Sequence, residues 1–195
     1  MPKEAKQAAK AEQILQGAIQ EFLQDGYTAT SMARIAKAAG VSKETLYSYF
    51  ESKEKLFAAI VRHIAQLHHQ EVFGAEPLPA DPVERLRLLA PKSISPENLD
   101  PMRMNFYRLI VGESGRFPQL AKFYLEQFEL PELQTSTVYL QNLPQLRSSD
   151  PEAVAWIISG TLRNYYQMME MFPGKEVMTM TLDRLIEALI EMLLN

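Results

Sequence analysis

The chain has 195 residues, 47% of them apolar, no cysteine and a formal net charge of −4. That much apolar chain can bury a sizeable core, which rules out wholesale disorder, and the missing cysteines exclude disulfides and thiolate metal sites, in keeping with a reducing compartment. No apolar run approaches the roughly 20 residues that span a bilayer, and the polar N-terminus MPKEAKQAAKAEQ lacks the apolar stretch of a signal peptide, so a cytoplasmic protein with no membrane partner is expected.

The acidic total hides an asymmetry. Residues 1–70 carry nine Lys/Arg against seven Asp/Glu, while residues 71–195 carry eleven against seventeen. A mildly basic N-terminal third on an acidic chain would orient the protein on a polyanion without making all of it adhere.

Ile14, Leu15, Ala18, Ile19, Phe22 and Leu23 recur at three- and four-residue spacing, which predicts an amphipathic helix over 5–25, with Gly26 at its left-handed cap. The Ala/Lys/Gln-rich segment ahead of Glu12 either frays or forms a basic arm. A second helix starts at Thr30 or Ser31, since either hydroxyl can accept a free backbone N–H. Met32, Ile35, Ala36 and Ala39 give it an inner face, and Gly40 ends it with the positive φ of a sharp turn. Val41 plugs the angle, and Ser42 caps a third helix from Lys43 to about Phe50, too short to be stable without its neighbours. Ser52 caps a long connecting helix over 53–73, with Leu56, Ile60, Ile64 and Leu67 along one side.

The clearest break follows over 74–82, where Pro77, Pro79 and Pro82 cluster. Shorter helices are expected over 83–89, 102–111 and 119–142, the last kinked at Pro131, with Pro91, Pro96, Pro101, Pro118 and Pro144 as boundaries. Asp150-Pro151-Glu152 opens a helix that runs to Met171. The final helix, over 181–194, repeats Leu182, Leu185, Ile186, Leu189, Ile190 and Leu193. No strand pattern occurs. The expected fold is all-α: an N-terminal three-helix unit with a helix-turn-helix over 1–52, a connecting helix over 53–73 and a C-terminal helical domain over 74–195.

A helix-turn-helix lays its second helix in the major groove while flanking groups hold phosphates. Lys43, Glu44 and Thr45 open the third helix, the end that meets base edges. Tyr47 and Tyr49 can donate to phosphate, Lys53 adds charge beyond them, and Thr28, Thr30, Ser31 and Ser42 offer hydroxyls and helix-start N–H groups. Tyr27 and Lys53 bracket the motif as phosphate grips. The run Thr30-Ser31-Met32-x-x-Ile35-Ala36-x-x-Ala39-Gly40-Val41-Ser42-Lys43-x-Thr45-Leu46-Tyr47-x-Tyr49-Phe50-x-Ser52-Lys53-x-x-Leu56 resembles the DNA-binding domain of the tetracycline-repressor-like (TetR) family over about residues 10–60. Glu44 departs from the small residue common there. Its carboxylate would either accept from a cytosine amino group or repel phosphate and sharpen selectivity.

The resemblance implies a DNA-binding transcriptional regulator, most often a repressor, that binds a palindromic operator as a homodimer. It also implies that the helices over 150–171 and 181–194 pair across a two-fold axis, and that a small apolar or amphipathic effector releases the DNA. Beyond residue 73 the likeness is one of architecture alone. Arg103, Tyr107, Arg108, Tyr124, Gln127, Trp156, Arg163, Asn164 and Tyr166 are the candidates for lining an effector cavity, mainly apolar with a few polar anchors.

His63, His68 and His69 have only Glu71 near them in sequence, so solvated or packing histidines are favoured over a metal site. Met168, Met169, Met171, Met178 and Met180 suit core or interface filler better than a pocket floor. With no cysteine nucleophile, Gly-rich phosphate loop or metal-ligand motif, neither an enzyme nor a cofactor is expected. Two alternatives to the effector-controlled repressor are a DNA-binding regulator with a closed core and an interaction module that has lost DNA binding.

Overall fold

The computed structural model describes residues 3–74, 78–94 and 101–194. Among them the regular structure is helical, apart from one isolated bridge between Leu146 and Leu194. Residues 75–77 of the proline-rich break and the boundary at Pro96 lie outside the described residues.

The first three helices are α1 (Lys3–Ala29), α2 (Met32–Ala38) and α3 (Lys43–Tyr49), followed by the long α4 (Lys53–Phe73). Ser31 caps α2 by accepting from Arg34 N, and Ser42 caps α3 by accepting from Thr45 N. Lys55 N donates to Ser52 Oγ at 3.2 Å at the start of α4. Gly26 does not simply end α1. It takes φ 77°, ψ 169°, a conformation reserved for glycine, and breaks the helix before a last helical stretch to Ala29.

Then come α5 (Pro82–Ile94), α6 (Pro101–Glu113), α7 (Pro118–Tyr124), α8 (Leu130–Gln141), α9 (Pro151–Tyr166) and α10 (Leu182–Leu193). Helix α5 runs through Pro91, five residues past its expected end. Where a kink at Pro131 is expected, a π-helical segment over Leu125–Glu129 lies just upstream, and α8 starts at Leu130. Pro131 cannot donate, and its ring crowds the carbonyl four residues earlier, at Gln127; the wider π turn makes room for it. A second π-helical segment, Gln167–Met171, continues α9 to the expected end of that helix.

These elements pack as two compact units: Met1–Ile64 with Met102–Gln127, and Ala65–Pro101 with Phe128–Asn195. The helix-turn-helix therefore shares its unit with α6 and α7, a partnership that no local pattern announces. In this unit Ile14, Ala18, Ile19 and Phe22 of α1, Ile35 of α2, Leu46 of α3 and Leu56 and Ile60 of α4 are buried together with Phe106 of α6. Aromatic rings tie the pieces: Tyr27 stacks on Phe22 at 5.4 Å and meets Phe57 and Phe117 edge-on at 5.5 and 5.0 Å, and Phe57 stacks on Phe106 at 5.1 Å.

Gly17 lets α1 approach the turn after α2. A Cβ there would stand 2.7 Å from Ala39 N and 2.8 Å from Ala39 Cα. Alanine at position 17 would gain about 1 kcal/mol in helix propensity, against about 1–3 kcal/mol of overpacking on backbone atoms that cannot swing aside. Gly17→Ala is expected to lower the melting temperature by a few degrees, at about 2–4 °C per kcal/mol in a chain of this size. A scanning-calorimetry midpoint equal to or above wild type would mean that α1 retreats from Ala39 at no more than the roughly 1 kcal/mol that alanine gains in helix propensity.

In the second unit Leu162 of α9 packs with Ala90 of α5 and with Ile186, Leu189 and Ile190 of α10, while Leu140 of α8 packs with Val154 and Ala155 of α9. Asp150 caps α9 through Ala153 N at 3.0 Å, and Thr181 caps α10. The guanidinium of Arg87 pairs in a fork with Glu187 at 2.6 and 2.7 Å, joining α5 to α10 at the surface.

Candidate nucleic-acid interface

Helices α2 and α3 are joined by a turn that three backbone bonds define. Ala39 N donates to Ile35 O at 2.8 Å, Gly40 N to Lys37 O at 3.1 Å and Val41 N to Ala36 O at 2.9 Å. Gly40 takes φ 61°, where a side chain would add strain. Inside, Leu46 is fully buried and anchors α3. Outside, Lys43, Glu44, Tyr47 and Ser48 are exposed, with Tyr47 at 49% of its full accessibility. The spacing of Lys43, Glu44, Tyr47 and Ser48 keeps them on one face of two helical turns. A rigid short helix presents a lysine, a carboxylate, a phenol and a hydroxyl outward. That is a reading surface in chemical content, with donors and an acceptor for base edges and a cation for phosphate.

Thr28, Ser31 and Ser42 are likewise exposed, and Thr45 and Tyr49 are half-buried. The Thr45 hydroxyl lies 3.1 Å from Ser42 Oγ, so the two form a small polar step beside Lys43. Glu44 is held below the usual carboxylate range by its own backbone N–H first, and then by the Ser42 hydroxyl. It stands on the exposed face as an anion at neutral pH.

Three expectations are corrected. Thr30 is 2% exposed, and its hydroxyl donates to Gly26 O at 2.8 Å and lies 3.0 Å from Glu21 O. It closes the end of α1 and does not meet solvent. Of the two candidate caps for α2, Ser31 takes the role. Lys53 is turned inward: its ammonium donates to Tyr27 O at 2.8 Å and Thr30 O at 2.9 Å, and sits 4.3 Å from the Tyr27 ring centre. Burial pushes this ammonium below its usual range, against the opposing pull of Glu54 and Glu113. Tyr27 is buried in the aromatic cluster, and its hydroxyl donates to Glu54 Oε1 at 3.2 Å. Tyr27, Thr30 and Lys53 thus hold the ends of α1 and α4 together and position the motif from behind.

The nine effector candidates divide between the compact units. Arg103, Tyr107, Arg108, Tyr124 and Gln127 belong to the first, and Trp156, Arg163, Asn164 and Tyr166 to the second. In the first, Arg103 is buried, the Tyr107 and Tyr124 rings lie 6.0 Å apart, and the exposed Arg108 donates to Asn105 Oδ1. In the second, Arg163 pairs with Glu129 and Tyr166 is buried, whereas Trp156 and Asn164 face solvent. The second unit also has a narrow apolar cleft among Leu86, Leu140, Leu143, Ile158 and Leu193. Its volume of about 10 Å³ is room for a water molecule at most. Of the histidines, His68 lies against the Phe128 ring at 5.1 Å, His63 is 3.4 Å from Glu12 and His69 is 3.8 Å from Glu132. No group of three metal-ligating side chains occurs among the described residues, and no described helix is long and apolar enough to cross a membrane.

Comparison with known proteins bears on the same surface. A family model described as bacterial regulatory proteins, tetR family, matches residues 14–60, and one described as AefR-like transcriptional repressor, C-terminal domain, matches residues 97–195. The HTH-type transcriptional regulator RutR of Escherichia coli strain K12 is 43% identical over 60 residues, which are 31% of this chain and 28% of RutR. The HTH-type transcriptional regulator BetI of Rhizobium meliloti strain 1021 is 25% identical over 122 residues, 63% of this chain and 60% of BetI. The chain thus aligns with less than two thirds of the length of either relative. Among solved structures, the flavonoid-responsive regulator FrrA is 28% identical, with a TM-score of 0.73 over 96% of this chain and 98% of that one.

Proposed function

Since this chain belongs to the tetR family of bacterial regulatory proteins, with that family's helix-turn-helix DNA-binding domain at its N-terminus, we propose that it is a cytoplasmic repressor that binds a palindromic operator as a homodimer. Residues 1–52 read DNA, 53–73 connect, and 74–195 dimerise and take a small effector. Dimerisation runs through the helices over 150–171 and 181–194, which places one α3 in each of two successive major grooves. The observation that carries this reading is the exposed face of α3, where Lys43, Glu44 and Tyr47 stand together on a helix pinned by Leu46 and capped by Ser42. Lys43 and Tyr47 contact the duplex, Thr45, Tyr49, Ser42, Ser31 and Thr28 hold phosphate or base edges beside them, and Glu44 selects against sequences that bring no donor to it.

The effector is small and apolar or amphipathic. It releases the operator by binding better to a conformation in which the two reading heads are wrongly spaced, which requires a differential affinity and no large motion. FrrA is described as flavonoid-responsive, which makes hydroxylated aromatic compounds the first effectors to try.

Selection of random duplexes by the purified protein tests the reading, and a recovered palindrome is expected. On that duplex Lys43→Ala should weaken binding at least about tenfold and reduce the slope of log affinity against log salt by about 0.9 for each phosphate no longer neutralised. Recovery of no enriched sequence, or a Lys43→Ala variant that binds as wild type does, would remove α3 from the interface.

A further inference from the structure

Helix α1 begins at Lys3, well ahead of residue 14, where the match to the tetR-family model starts. The extra turns are not a loose arm, because one stripe of α1 is tied to the helix-turn-helix. Gly17 packs against Ala39, and Gln13 Nε2 donates to Ala39 O at 2.6 Å. Lys10 Nζ in turn donates to Gln13 Oε1 at 2.9 Å. A polar relay thus runs from the Lys10 ammonium to the turn that leads into Ser42 and Lys43.

Lys6, Lys10, Gln13 and Gly17 stand four, three and four residues apart. At about 100° per residue these positions share one face of α1, and Glu4 and Glu12 fall roughly 140° away from the two lysines. Glu12 is engaged elsewhere, accepting from Gln16 Nε2 at 2.9 Å and facing His63 at 3.4 Å. The face that touches the turn therefore continues past it with two cations and no carboxylate. Lys10 lies about 4.5 Å and Lys6 about 10.5 Å further along the axis than Gln13. Lys6 is exposed, and neither lysine has an acidic partner among the described residues.

We propose that this stripe is a second DNA-contacting surface, in which Lys10 and Lys6 hold backbone phosphates outside the base pairs read by α3. Compact ammonium groups on long stems suit phosphate as point charges and read no bases. The surface lengthens the footprint of each subunit along the duplex and adds salt-sensitive affinity without adding sequence preference. It rests on the reading of α3 given above.

The test uses the full chain and the duplex recovered from the random pool, in two lengths: one trimmed to the palindrome and one with about ten further base pairs on each side. On the longer duplex, Lys6→Ala combined with Lys10→Ala should lower the salt slope by about 0.9 per lysine and weaken binding about tenfold at moderate salt. Lys6→Arg with Lys10→Arg should keep the wild-type slope. On the trimmed duplex the alanine pair should bind as wild type does. Alanine is the best helix former, so α1 is retained, and far-ultraviolet circular dichroism checks it. An unchanged slope on the longer duplex, with Lys43→Ala still weakened, overturns this proposal and leaves α3 as the reader. An equal loss of slope on both duplexes also overturns it, by placing the lysines over the palindrome. If Lys43→Ala is inert as well, the reading of α3 falls first.

Discussion

Replacing Tyr27 by alanine is expected to lower the melting temperature of this protein by about 6–20 °C. The residue is 3% exposed, and its ring is held by Phe22, Phe57 and Phe117. Truncating a buried aromatic side chain costs about 3–5 kcal/mol when the space cannot collapse, and each kcal/mol is worth about 2–4 °C in a chain of this size. Collapse is hindered here because the Lys53 ammonium rests over the same ring and bonds the Tyr27 and Thr30 carbonyls. Removing the ring takes away the cation–π contact and leaves the ammonium over a cavity. Because the ring joins the ends of α1 and α4 to Phe117 at the start of α7, operator affinity should fall along with stability. A loss under about 3 °C by scanning calorimetry would mean that the cluster carries little of the unit's stability.

Tyr27→Phe isolates the hydroxyl and carries a pH signature. Burial, with Glu54 beside it, pushes the Tyr27 phenol well above its usual value of 10. The folded protein therefore keeps this proton at pH values where the unfolded chain has lost it. With more protons bound at this site in the folded state, the Tyr27 contribution to stability falls as pH rises above about 10, with a slope of at most about 1.4 kcal/mol per pH unit. Lys53 works in the opposite sense: its folded value is lowered, so it adds stability as pH rises towards the unfolded value near 10.5. Tyr27→Phe removes the first contribution alone, so urea melts should show wild type losing its advantage over the variant between about pH 10 and 11.5. Parallel curves through that range would place the phenol in water.

Much of this architecture is legible in the residues, for local reasons. Ser42 before Lys43, Gly40 after Ala39 and Asp150 before Pro151 act through their own backbones, and each element begins or ends where they place it. Legibility fails where a distant partner decides. Thr30 and Ser31 are equally good caps by composition, and Thr30 turns inward because the carbonyls of Glu21 and Gly26 await it. Lys53 looks like a phosphate grip among polar neighbours until Tyr27 O and Thr30 O are seen 2.8 and 2.9 Å from its ammonium. Lys10 is the converse. The spacing of Lys6, Lys10, Gln13 and Gly17 is plain in the chain, yet it acquires direction only from the bond between Gln13 and Ala39. The candidates for an effector site are the least legible, since polar and aromatic residues on middle helices carry no period that separates a cavity wall from a solvated face.

Ile157→Asp is expected to leave the protein monomeric, raising the dissociation constant of the proposed dimer at least about a hundredfold. Helix α9 buries Val154, Ala155 and Leu162, and turns Ala153, Trp156, Ile157 and Gly160 outward, with Trp156 60% and Ile157 49% exposed. A Cβ at Gly160 would meet nothing within 4 Å. These positions form one stripe by helical spacing, and a stripe of large apolar groups with a small residue between its turns is what a partner helix packs against. In a two-fold dimer the same patch meets itself, so a single substitution brings in two carboxylates, each desolvated opposite apolar surface. The chain has one tryptophan, and it lies on this stripe, so its emission reports the contact directly. Dilution of wild type should shift Trp156 emission to the red as dimers part, while Ile157→Asp should show the red-shifted spectrum and a monomer's sedimentation coefficient at every concentration. Operator affinity should fall in parallel, because two half-sites read by separate monomers no longer share one binding event. A variant that sediments as a dimer with unshifted emission would move the interface off α9, and would leave this exposed stripe to another partner.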